Sequence, residues 1–132
     1  MLAMKVFDAG DNAAAKSFVN ELKAYNALSE LQGQTIPALH SFGRMAHTGC
    51  PAIVVHWAGC SIKRYDNLSG QLLETAKQGL QAMHNIHVSH GDVHLGNMLM
   101  NKERIVFCDL GQSSIDAPPD ACEQDLNMLD AG

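Results

Sequence analysis

The sequence predicts an α+β domain. Short apolar runs bounded by turn residues recur at residues 2–7, 36–42, 52–57 and 105–108, each the length of a strand. Two longer segments repeat apolar residues at helical spacing. With 132 residues and 46% hydrophobic content the chain can bury one core, and 17% charged residues exclude a highly charged disordered chain. Eleven Gly and four Pro are too few for collagen or a proline-rich linker.

In chain order, residues 2–7 are apolar around Lys5 and end at the turn formers Asp8, Gly10 and Asp11. Asp11 or Asn12 then caps a helix to about Leu31, in which Phe18, Leu22 and Tyr25 recur at i, i+4 and i+7, and Gly33 stops it. Residues 36–42 and 52–57 read as strands, with the turn chemistry of 43–51 between them and a break at Ala58, Gly59 and Cys60. Leu72, Leu73, Ala76, Leu80 and Met83 predict a second helix over 71–87. Residues 105–108 form a buried strand closed by Asp109-Leu110-Gly111, Pro118 and Pro119 interrupt regular structure, and a last helix spans 123–129. Met83, Met98, Met100 and Met128 read as core fillers.

Nine Lys and Arg against fourteen Asp and Glu give a net charge of −5, which argues against a broad basic nucleic-acid surface. No Lys or Arg follows Arg104, whereas Asp109, Asp116, Asp120, Glu123, Asp125 and Asp130 do. The dibasic step Lys63-Arg64 stands alone. Cys50, Cys60, Cys108 and Cys122 contain no CxxC pair and no apolar leader is present, so reduced thiols in a cytoplasmic or nuclear setting are expected. The longest aliphatic run, residues 52–55, is far too short to span a membrane.

The most informative stretch is His90-Gly91-Asp92-Val93-His94-Leu95-Gly96-Asn97, followed twelve residues later by Asp109-Leu110-Gly111. An aspartate and an asparagine sit on one turn after a helix, and a second aspartate ends a nearby strand. Hard divalent cations prefer such oxygen donors, so Asn97 and Asp109 suit Mg²⁺ while Asp92 stays free as a base. Zinc is the other reading, through His84, His87, His90 and His94. No Cys joins them at ligand spacing, and His84 and His87 read more simply as decorating a helix end.

This arrangement resembles the HxDxxxxN catalytic loop and the DFG segment of the protein-kinase-like superfamily. HGDxHxGN looks closer to the small-molecule and atypical branch, such as aminoglycoside or choline phosphotransferases, and to divergent kinase-like proteins. Met4-Lys5 resembles the end of the family's VAIK strand, and Glu21 stands where its lysine-pairing glutamate would be. Residues 51–57 resemble the hinge strand, with Trp57 and Ala58 beside an adenine pocket; packing at the lobe junction is the plainer reading of Trp57.

The resemblance implies a two-lobed fold abbreviated at both ends, with residues 1–59 a partial N-lobe and 60–132 a partial C-lobe. Only four residues precede Lys5, leaving no room for the family's glycine-rich loop, and Asp125 stands at the place of the aspartate that braces the catalytic loop. The implied activity is ATP- and Mg²⁺-dependent phosphoryl transfer to a hydroxyl of a protein or small molecule. Lys5, held by Glu21, grips the α- and β-phosphates, Asn97 and Asp109 hold Mg²⁺, and Asp92 takes the acceptor's proton. Two alternatives stay open: a catalytically inactive kinase-like domain that binds nucleotide or a partner, and an incomplete kinase fragment.

Overall fold

The computed structural model describes residues 1–57, 59–62 and 70–131. In chain order these comprise β1 (Leu2–Val6), α1 (Asn12–Ala27), β2 (Leu39–Arg44), β3 (Pro51–His56), β4 (Cys60–Ser61), α2 (Gly70–Asn85), β5 (Val88–Ser89), β6 (Met98–Asn101), β7 (Arg104–Phe107), β8 (Ser114–Ile115) and α3 (Pro119–Ala131). The strands pair antiparallel in the orders β1-β3-β2, β4-β6-β7 and β5-β8. The α+β class therefore holds. No described helix is long and apolar enough to cross a membrane.

Helix α1 starts where Asp11 accepts the Ala13 backbone N–H at 2.9 Å, which satisfies one orphan donor of the first turn. It turns Glu21, Ala24 and Tyr25 inward and ends at Ala27, before the expected Leu31, because residues 29–31 tighten into a 3-10 turn. Helix α2 buries Ala76, Leu80 and Met83, the stripe predicted by spacing. A Cβ on its Gly79 would come within 2.9 Å of Phe107 Cε2, so this glycine lets α2 lie close over β7.

Tyr25, Leu28, Ile36, Ile53, Leu80, Met83, Phe107 and Leu110 are among the fully buried side chains, and one continuous apolar cluster runs from Phe7 to Leu129. Burying each such side chain contributes about 1.5–3 kcal/mol. Met83 and Met98 belong to this cluster, with Met100 and Met128 packed against it.

Three expectations need correction. The strand expected over 36–42 is Leu39–Arg44, because Pro37 lacks a backbone donor; Ile36 is instead buried in a bridge to Gln32. The last helix begins at Pro119, where the missing N–H falls among donors a first turn leaves free anyway. Cys60 does not simply break the chain: with Ser61 it pairs against Met100 and Leu99.

Candidate functional site

The strand period places Lys5 on the inner side of β1, opposite Ile53 in register, while Leu2, Met4 and Val6 are exposed. Its ammonium donates to Glu21 Oε1 at 3.1 Å and to Asp109 Oδ1 at 2.9 Å. It also lies 5.0 Å from the centroid of the Phe7 ring, a cation–π distance. Residues 16 and 104 positions apart in the chain thus meet at one atom.

The loop between β5 and β6 is pinned from three sides. His90 Nε2 donates to the Cys108 carbonyl at 2.8 Å, and His90 Nδ1 accepts the Asp92 backbone N–H at 3.2 Å. The ring is therefore the Nε2–H tautomer. Cys108 N–H donates to the Asn97 carbonyl at 2.9 Å, which joins the loop to the segment carrying Asp109. Asn97 Nδ2 donates to the Asp92 carbonyl at 2.9 Å and to Asp92 Oδ2 at 3.1 Å. Its Oδ1 is then the amide atom suited to a cation.

From below, buried Asp125 of α3 braces the loop. Its Oδ1 accepts from Gly91 N–H at 2.9 Å, and its Oδ2 accepts from His90 N–H and His84 Nε2, each at 2.8 Å. Gly91 has φ +87°, and a Cβ there would collide with the Gln112 carbonyl, so glycine alone fits between His90 and Asp92. Asp109 adopts φ +60°, a left-handed conformation that aspartate tolerates better than most residues. Asn20 of α1 holds the next segment by donating to the Gly111 and Ser113 carbonyls at 2.9 and 2.7 Å.

Lys5, Glu21, Trp57, Asn97 and Asp109 line one cavity of about 250 Å³, whose remaining wall includes Ala3, Tyr25, Ile53, Val55, Leu99 and Cys108. Such a mixture of apolar wall and convergent polar groups is typical of small-molecule sites, and the volume is just below their usual range of about 300–1,000 Å³. Asp92 joins the site through Asn97. Ala58, expected in the adenine pocket, lies outside the described residues, as does the Lys63-Arg64 step. Trp57 is 45% exposed at the cavity, so the plainer reading of it as buried packing is corrected.

Burial alone would lower the Lys5 pKa, but its bond to Asp109 and the charge of Glu21 raise it overall, so the ammonium form is secured. Burial acts upward on both carboxylates. It prevails at Glu21, whose pKa is raised despite Lys5, whereas at Asp109 the Lys5 ammonium overrides it and lowers the pKa. Burial pushes the Cys108 thiol up to about 11, which keeps it protonated at neutral pH. Burial also lowers the His90 pKa, in keeping with a ring whose Nδ1 is an acceptor.

A pH dependence of stability follows. Unfolded His90 takes a proton as pH falls past 6.5, and the folded ring resists it, so folding stability should decline with pH from 6.5 toward the lowered folded value. Urea unfolding across a pH series checks this. In His90→Gln that component of the slope should be missing; an identical slope would assign it elsewhere.

Four histidines invited a zinc reading, but three of them take protein partners: His84 meets Asp125, His90 meets Cys108 and Asp92, and His94 Nδ1 accepts from Gly96 N–H at 3.1 Å. Among the described residues no three His, Cys, Asp or Glu side chains converge on a metal position. The expectation that His84 merely decorates the helix end is corrected. It shares the buried face of Ala76, Leu80 and Met83, and a stricter count of helical spacing would have put it there. Asn20 and Tyr25 carried no comparable signal of their site roles.

Comparison with protein-family models yields no match, and comparison with curated proteins yields none either.

Proposed function

We propose that the chain is an ATP- and Mg²⁺-dependent phosphotransferase of the protein-kinase-like group, moving the γ-phosphate to a hydroxyl of a protein or small molecule. In this reading its elements form the two-lobed fold in abbreviated form, with the cavity at the junction near Trp57. The observation that carries it is the meeting of Lys5 with Glu21 and Asp109 beside Asn97, in the order and pairing that the HGDxHxGN and DLG segments imply. A chance set of turn and cap residues has no reason to draw a lysine from the first strand onto an aspartate 104 residues away.

The donor set fits Mg²⁺: Asn97 and Asp109 offer hard oxygen atoms, and this ion commonly takes few protein ligands, with phosphate oxygens and waters completing its shell. When bound, it neutralises phosphate charge that builds up during transfer. The chain's own residues do the rest. Lys5 holds phosphate oxygens, restrained by Glu21; the apolar wall excludes water from one side; and Asp92 accepts the proton as the acceptor oxygen bonds to the γ-phosphorus and the bond from that phosphorus to the β,γ-bridging oxygen breaks, releasing ADP.

The test is a thermal-shift titration followed by a transfer assay. Mg-ATP should raise the melting temperature more than ATP or Mg²⁺ alone, by an amount equivalent to about 2.7 kcal/mol at a hundredfold excess over Kd. Asp109→Asn should remove the Mg²⁺-dependent part of that shift while changing basal stability little, because the Lys5–Asp109 pair is half-exposed. No shift would overturn nucleotide binding. A shift without γ-phosphate transfer would select the inactive nucleotide-binding domain instead.

A further inference from the structure

We infer that His94 is a positioning residue for Asp92, an assignment that rests on the phosphotransferase reading above. Asp92 is an unusual group to leave unrestrained, because its side chain is 44% exposed and burial does not select its rotamer. What restrains it is a pair of neighbours on one oxygen. Asn97 Nδ2 donates to Oδ2 at 3.1 Å, and His94 Nε2 lies 3.7 Å from the same oxygen. The second distance is within ion-pair range and longer than a hydrogen bond. Catalytic contacts of this kind commonly tighten when substrate is bound.

The ring's other nitrogen settles which proton faces Asp92. His94 caps the 3-10 turn Leu95–Asn97, and its Nδ1 accepts the Gly96 N–H at 3.1 Å. A nitrogen that accepts carries no proton, so the neutral ring presents Nε2–H toward Asp92. With Oδ2 held by the Asn97 amide and faced by the His94 Nε2–H, Oδ1 is the oxygen that receives the acceptor's proton.

Capping alone does not call for histidine. Asn, Asp, Ser or Thr would accept the same N–H and are the usual residues at such positions. Imidazole differs in having a second nitrogen that extends beyond the cap. Gly96 belongs to the same device, since a Cβ there would come within 2.9 Å of His94 Cε1 and 3.1 Å of Nδ1. Glycine leaves the ring its place.

The experiment compares wild type, His94→Asn and Gly96→Ala in the full chain. Asparagine keeps the cap and loses the reach to Asp92; alanine at 96 displaces the ring without removing it. Both should lower kcat for transfer by roughly ten- to a hundredfold. KM for ATP and the Mg-ATP thermal shift should stay at wild-type values in both, and the melting temperature should do so in His94→Asn, which keeps the cap. Correlation of the ring nitrogens with their protons by NMR in the wild type, at mildly alkaline pH and without ligand, should find the His94 proton on Nε2. An unchanged kcat in His94→Asn, a fall in kcat that merely follows a fall in melting temperature, or a proton on Nδ1 would each overturn the assignment alone. Absence of transfer by the wild type would overturn the phosphotransferase reading and this assignment with it.

Discussion

Asp92→Asn should lower phosphoryl transfer by roughly 10²–10⁴-fold while nucleotide still binds, because the substitution removes a proton acceptor and almost nothing else. The amide is isosteric with the carboxylate, and its oxygen can still accept from Asn97 Nδ2 in place of Asp92 Oδ2. The two backbone bonds that hold this residue, from its N–H to His90 Nδ1 and to its carbonyl from Asn97 Nδ2, do not involve the side chain. Folding and the Mg-ATP thermal shift should therefore match wild type. The loss corresponds to about 3–5 kcal/mol of transition-state stabilisation. Transfer that survives unchanged would remove Asp92 from the role of base and leave orientation by Lys5 and Asp109 as the main contribution of the site.

That role needs a correctly placed proton acceptor but not a strongly basic one. Phosphoryl transfer passes through a loose transition state, in which the hydroxyl proton leaves late and a strongly basic residue gains little. The surrounding network is arranged accordingly. Each contact on the loop fixes an atom: Asp125 holds the backbone N–H groups of His90 and Gly91, His90 spans from Cys108 to Asp92, and Asn97 closes the turn onto Asp92. Beside Asn97 in the cavity wall, the carboxylates of Glu21 and Asp109 share the Lys5 ammonium. A cation arriving there meets a site whose formal balance is one negative charge, and it competes with Lys5 for Asp109.

Much of this was legible from residue order because its signals are local. The stripes Phe18, Leu22, Tyr25 and Ala76, Leu80, Met83 mark helix faces, and Glu21 borders the first stripe, so its inward turn follows from periodicity. The spacing from Asp92 to Asn97 and Asp109 needs only one turn and one hairpin to bring the three together. Strands β4, β5 and β8 left no such signal. Each has two residues, too few for a period, and each exists only through a partner far along the chain, as Cys60 does through Met100. The bond from His84 to Asp125 spans 41 residues and joins two helices whose packing no local pattern encodes. Pro119 was misread for a different reason: proline ends a helix from inside and opens one at its first position, and sequence alone does not say which applies.

Replacing Asp125 with alanine should produce the largest loss of stability of any single substitution in the site. The carboxylate is fully buried and accepts three bonds, at 2.8, 2.8 and 2.9 Å, from two helices' worth of surroundings: His84 on α2 and the backbone of His90 and Gly91. Alanine leaves those donors without an acceptor, the His90 N–H in a buried position and the other two in partly buried ones, at about 1–3 kcal/mol for each group left orphaned and buried. Taken as removal of one partner from a buried polar pair, the cost is about 3–5 kcal/mol. A domain of this size has a total stability of about 5–15 kcal/mol, so the variant should unfold at markedly lower urea and melt on the order of 10 °C lower. Asp125→Asn separates geometry from charge. Its oxygen can serve two of the three donors while its NH₂ opposes the third, so its stability should fall between the two. A midpoint for Asp125→Ala within error of wild type would mean that the loop stands without α3, and the conformation of Gly91 and Asp92 would then have to be held by the His90 ring and Asn97 alone.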